Sequence, residues 1–137
     1  MGEQKISLEM AEQEFYRFGE MMDLDFDTSY MDEDDKKGFE QAKRRIVKAI
    51  MAGAMIIDEN GQPVYTPQRA GDEINSITFY EPTGATYMAM DKKKKTEDMG
   101  KMMALMADYT KTSSGLFAKM KNSDFKVCLA VTSLFLG

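Results

Sequence analysis

The sequence predicts an α+β fold: two amino-terminal helices, a small antiparallel sheet made of a hairpin plus one further strand, and a helical carboxyl-terminal region. Three observations carry this. Apolar residues recur at steps of three and four over 8–22 and again over 39–50, which lines them along one side of a helix. The pair Asn60-Gly61 lies between two short apolar arms, a strong hairpin signal because both residues tolerate positive φ. From residue 97 onward the apolar spacing is helical again, interrupted at Lys111-Thr112-Ser113-Ser114-Gly115.

The first helix begins after Ser7, a residue whose hydroxyl can accept from the first-turn amides. Its stripe is Leu8, Ala11, Phe15, Phe18 and Met22, and Glu9, Glu12 and Glu14 lie early in it, where the helix dipole favours carboxylates. Asp23 to Met31 breaks the pattern. The second helix opens on Asp32-Glu33-Asp34-Asp35 and runs to Ala52, with Phe39, Ala42, Ile46, Ala49 and Ile50 as its buried stripe. Lys43, Arg44, Arg45 and Lys48 fall toward its carboxyl end, and Gly53 is a stop signal.

Ala54 to Asp58 and Val64 to Thr66 form the two arms of the hairpin, and Pro63 and Pro67 are expected on an exposed edge. Ile74 to Tyr80 alternates as a third strand. Glu81-Pro82 ends it, because proline biases the residue before it away from helical angles. Thr83 can then cap a short helix through Met90, and a basic run follows at Asp91 to Lys95. The remaining helices are expected over Glu97 to about Thr110, Leu116 to Met120, and Asp124 to Leu136 after a Ser123 cap.

Composition narrows the function. The chain has 137 residues, of which 43% are hydrophobic and 30% charged, a globular balance. It is organised either as an acidic helix–helix–hairpin module over 1–68 and a strand-plus-helices region over 69–137, or as one continuous domain. No apolar run reaches the 18 or so residues of a spanning helix, and MGEQKISLEM has neither a basic start nor an apolar stretch, so no membrane and no signal peptide is expected. There is no histidine and only one cysteine. Histidine-based triads, histidine-ligated zinc and internal disulfides are therefore out. Up to Gln68 the chain carries 8 basic and 15 acidic residues, which argues against nucleic acid as a partner because phosphate contacts need a basic face. No catalytic, cofactor or metal site is expected.

Individual motifs read as follows. Asp23, Asp25 and Asp27 open like a calcium loop, but Thr28 stands where the sharp turn needs glycine and Asp34 where a bidentate Glu belongs. They read as an acidic interhelical loop in which Leu24 and Phe26 anchor to the core. The run Lys92 to Lys95 reads as a solvated loop. Cys128, among Val127, Leu129, Ala130 and Val131, reads as a buried inert thiol.

Fourteen methionines are present, six of them between Met88 and Met106. On helical geometry the set Met99, Met102, Met103, Leu105, Met106, Ala107 and Tyr109 spans an arc of roughly 200°, against about 100° for one-sided burial. Between Phe125 and Leu136 nine of twelve residues are apolar. The two helices carry more apolar surface than a chain this size is expected to hide. Either they pack on each other or a second polypeptide covers them. Methionine-rich faces adapt to varied apolar partners, so Met99, Met102, Met103, Met106, Tyr109, Phe125, Leu129 and Phe135 are the candidate partner-binding residues.

At Ile77-Thr78-Phe79-Tyr80-Glu81-Pro82-Thr83-Gly84, followed by Tyr87-Met88-Ala89-Met90-Asp91, the chain resembles the tail assembly chaperones of long-tailed bacteriophages. Ser114-Gly115-Leu116 and Asn122-Ser123-Asp124-Phe125 occupy places where that family has a Ser-Gly loop and an Asp-led terminal helix. The likeness covers 72–137; Tyr80 stands where members often have a basic residue. It implies a non-enzymatic protein of the host cell cytoplasm that holds the tape measure protein soluble until tail tube subunits polymerise around it. The tape measure protein is then the partner, with the tail tube protein and self-association as further contacts. The alternatives are a structural adaptor retained in the virion and a calcium-binding interaction module.

Overall fold

The computed structural model describes residues 6–69, 75–86 and 98–136. Helix α1 spans Leu8–Met21 and α2 spans Glu33–Met51, joined through a single 3-10 turn at Thr28–Tyr30. Strands β1 (Met55–Ile57), β2 (Pro63–Tyr65) and β3 (Ile77–Thr78) follow. The carboxyl-terminal region is α3 (Asp98–Thr110), α4 (Ser114–Ala118) and α5 (Asn122–Leu136). This is the expected α+β arrangement. The expected short helix from Thr83 is described only as far as Thr86, and the basic run at Asp91 to Lys95 lies outside the described residues.

Local chemistry starts each amino-terminal helix. Ser7 Oγ accepts from the Met10 amide at 3.1 Å, and the Asp32 carboxylate accepts from the Asp35 amide at 2.8 Å. Each bond satisfies one of the first-turn donors that a helix leaves unpaired. The predicted stripes are buried at Ala11, Phe15, Phe18 and Met22 of the first helical segment and at Phe39, Ala42, Ile46, Ala49 and Ile50 of α2, but Leu8 is 53% exposed. Leu8 sits in the first turn of α1, beyond the reach of the core.

The sheet is antiparallel in the order β1-β2-β3, with Ile56 opposite Val64 and Tyr65 opposite Ile77. Its inward face holds Met55, Ile57, Tyr65 and Ile77, while Ile56 points outward. Both prolines differ from expectation. Pro63 begins the central strand and, like Pro67, is buried. As the first strand residue it can forgo its missing N–H, and its carbonyl accepts from the Phe79 amide at 2.8 Å.

The turn Asp58 to Gln62 is held from two sides. The Asp58 carboxylate accepts from the amides of Asn60 and Gln62 at 2.9 and 2.8 Å. From α1, the Arg17 guanidinium donates to the carbonyls of Ile57 and Asp58 at 2.6 and 3.0 Å while paired with Glu14 at 2.8 and 2.9 Å. Gly61 adopts φ +78°, and a Cβ there would stand 2.5 Å from Met21 Cβ. The Asn-Gly signal thus serves both the turn and its docking on α1.

One core joins the two halves of the chain. Helix α2 packs against α1, β1 and α5, and its contact with α5 is the most extensive among the described elements. An aromatic chain runs through the interior: Phe26 stacks on Phe15 with centroids 4.8 Å apart, Phe18 meets Phe135 edge-on at 5.8 Å, and Phe135 meets Tyr109 at 4.9 Å. Leu24 and Phe26 are packed against this core, as expected for the interhelical loop. Cys128 is fully enclosed, and burial, with the negative Asp124 nearby, pushes its thiol pKa well above the ordinary range.

Some helix boundaries shift. The last helix starts at Asn122, so Ser123 lies inside it rather than capping it, and α4 begins at Ser114 instead of Leu116. Thr112 N donates to the Ala107 carbonyl at 2.9 Å and Lys111 takes φ +56°. This tight carboxyl-terminal reversal of α3 shortens the loop and lets the next turn form earlier.

Candidate functional site

The apolar excess expected of α3 and α5 is mostly consumed internally. Met106, Tyr109 and Phe135 are 0%, 1% and 5% exposed. As partner-binding residues these three are corrected to core: α3 and α5 pack on each other, and their shared interior also takes Leu105, Val131 and Leu134. Helix α5 is apolar nearly all round because α2 covers one side of it and α3 another. The other five candidates stay accessible. Met102, Met103, Phe125 and Leu129 are half-buried at the edge of the core, and Met99 is 53% exposed.

Two of these five meet in a groove. It is an open depression of about 350 Å³ between α2, α3 and α5, walled by Met102 and Leu129. Its small lining residues are the buried Ala42 and Ala130 and the exposed Gly38 and Ser133, from α2 and α5, and the charged Arg45 and Lys126 line it as well. A Cβ built on Gly38 meets nothing within 4 Å. That position is open to an incoming atom.

A second cleft of about 240 Å³ adjoins the groove and shares Gly38 and Ser133 with it. There the apolar surface is Phe26, Met31, Phe39 and Leu134, and the rim is Asp25, Asp34 and Asp35. Both clefts are lined by residues of α2 and of α5, the two helices that pack most extensively on each other among the described elements. The two adjoining clefts together form a trough beside the contact of α2 and α5.

A different cleft of about 360 Å³ lies between α1 and α2, lined by Leu8, Val47 and Met51 among charged residues. Part of its charge is already engaged. Lys43 Nζ donates to Tyr16 Oη at 3.0 Å and pairs with Glu12 at 3.2 Å, and the tyrosine bond above all raises its pKa. Of the charges lining the α2–α5 trough, Asp25 accepts from the Asp27 amide at 3.0 Å, and the others have no such partners. Among the described residues no ion pair or side-chain hydrogen bond involves the carboxylates of Asp34 and Asp35, Arg45 or Lys126.

Sequence reading found Met102 and Leu129 but not Gly38, Arg45, Lys126 or Ala130. Gly38 did carry a signal. A glycine inside a strong helical pattern costs about 1 kcal/mol relative to alanine, which marks the position as unusual, although no atom of the described residues approaches it closely. Of the calcium-loop residues, Asp25 and Asp27 spend carboxylate oxygens on the amides of Asp27 and Ser29. No group of metal-ligating side chains suited to an ion occurs among the described residues, and none of their helices is long and apolar enough to cross a membrane. No family model matches the chain, and no curated protein or solved structure is significantly similar to it.

Proposed function

We propose that this chain is a non-enzymatic phage tail assembly chaperone, which binds apolar segments of the tape measure protein in the host cytoplasm and keeps them soluble while the tail is built. The observation that carries this reading is the trough beside α2 and α5, lined by small residues together with Met102 and Leu129. A guest helix can approach small side chains closely, and a methionine wall accommodates guests of varied apolar sequence. A long, mostly helical guest supplies such faces in quantity.

The resemblance to tail assembly chaperones falls on the same part of the molecule. Its Tyr-Glu-Pro-Thr turn is tied to the end of α3: Tyr80 N donates to the Tyr109 carbonyl at 2.8 Å, and Lys111 Nζ lies 4.1 Å above the Tyr80 ring. The turn thereby holds the helix that carries Met102. The amino-terminal half, which bears no family motif, contributes α2 and with it the opposite side of the trough.

Co-expression with the tape measure protein tests the reading. Soluble tape measure should increase and the two chains should co-purify; unchanged solubility without co-purification overturns it. Mass spectrometry of purified virions should find this chain absent or scarce, whereas stoichiometric amounts would favour a retained structural adaptor.

A further inference from the structure

The trough is electrically bipolar. At one end Asp25, Asp34 and Asp35 surround an aromatic and aliphatic floor; at the other, Arg45 and Lys126 flank Met102 and Leu129. Asp34 and Arg45 are eleven residues apart on α2, which is three turns or about 16 Å along the axis. Eleven residues also bring a helix back to within about 20° of the same face. The rim charges have no intramolecular ion-pair partners among the described residues, so an occupant that neutralises them displaces no existing pair.

We infer that the trough takes an amphipathic helix of another polypeptide whose buried face carries a lysine or arginine and an aspartate or glutamate about eleven residues apart, the cation seated by Asp34 and Asp35 and the carboxylate by Arg45 and Lys126. The apolar residues between them lie over Gly38, Ala42 and Ala130. The apolar floor supplies the attraction, and the two charged ends set which helices bind and in which direction they lie, the usual division of labour between burial and charge at an interface. A purely apolar helix leaves both ends unpaired, and a helix with one sign of charge at both positions meets repulsion at one of them. This deepens the proposed function and rests on it only in taking the trough as the binding face.

Four fluorescein-labelled helical peptides of about 20 residues, identical in their apolar stripe, test it against the intact chain. At two positions eleven apart they carry Lys and Glu, Lys and Lys, Glu and Glu, or Gln and Gln. The Lys/Glu peptide should bind about tenfold more tightly than the Gln/Gln peptide at low salt, and the advantage should shrink to about twofold in 0.5 M salt. In R45E/K126E the preference should pass to the Lys/Lys peptide. A retained melting temperature and circular dichroism spectrum establish that this surface variant is folded, and R45Q/K126Q provides a milder second variant that should lose the Lys/Glu advantage. Equal binding of all four peptides, or binding of none, overturns the inference, while the co-purification experiment separately decides the chaperone reading. Sedimentation should find the isolated chain monomeric; a dimer abolished by L129E would make a second copy the occupant and would also overturn it.

Discussion

The carboxylate of Asp124, 1% exposed, accepts a hydrogen bond from the Tyr65 hydroxyl at 2.5 Å across 59 residues of sequence. The same carboxylate accepts from the amides of Gln68 and Arg69 at 2.8 and 3.0 Å. A side chain in the first turn of α5 thus closes the chain leaving the central strand. Three donors compensate for burying a carboxylate that would otherwise be costly. D124A strips all three donors of their acceptor and should cost about 3 kcal/mol, while Y65F should cost about 1–2 kcal/mol. Urea unfolding of both and of the double variant measures the coupling; additive losses would deny that the two residues act together.

The same cluster gives the fold an alkaline limit. Burial raises the Tyr65 pKa far above its ordinary value, reinforced by its bond to Asp124, and burial likewise raises Cys128. Both groups are neutral in the fold and have raised folded-state values. Their contribution is therefore whole below the unfolded-state pKa values, about 8.5 for a thiol and about 10 for a phenol, and is lost as pH rises beyond them. Stability should decline from about pH 9, steepening past pH 10 by about 1.4 kcal/mol per unit for each ionising group. Urea midpoints from pH 7 to 11 follow this, and Y65F should flatten the upper part of the decline.

Gly38 is exposed within α2, and an added methyl would meet nothing. G38A should therefore stabilise the protein by about 0.5–1 kcal/mol, from helix propensity alone. A melting temperature that falls instead would mean the glycine serves the fold itself. Filling the trough further with G38L should leave stability near that of G38A but weaken peptide binding.

Met102 and Met106 are one turn apart on α3 and should respond very differently to charge. M106E places a carboxylate at a fully enclosed position and should cost more than about 4 kcal/mol, enough to unfold most of the population. M102E, at the half-buried wall, should cost about 1 kcal/mol or less and act on binding. Denaturation and peptide titration of the two variants separate core from interface. Equal destabilisation would remove Met102 from the interface.

The hairpin's docking on α1 rests on Arg17, whose guanidinium donates to two carbonyls of the turn. R17M keeps much of the aliphatic bulk and should lose about 1–2 kcal/mol, somewhat less than buried charged bonds because the side chain is about one-third exposed. Faster hydrogen exchange at the Asn60 and Gln62 amides, with α5 unchanged, is the expected local signature.

Much of this architecture was legible in the sequence, because it depends on interactions within a few residues. Apolar spacing defined the buried sides of α1 and α2, the acidic first turn and Asp32 located where α2 starts, and Asn60-Gly61 located the hairpin. The three-stranded sheet followed from the two arms and one alternating segment. What covers an apolar helix is not encoded in its own period. Met102 and Met106 look alike on a helical projection, and only the packing of α5 and β3 against α3 makes one a wall and the other core. Asp124 is ordinary as a first-turn acid; its role exists because the sheet brings Tyr65 and the residues after it to the same point. The trough likewise belongs to neither half of the chain. It appears when the packing of α2 on α5 brings small residues together and leaves charges of opposite sign in the two adjoining clefts, a relation set by distance in space rather than by spacing along the chain.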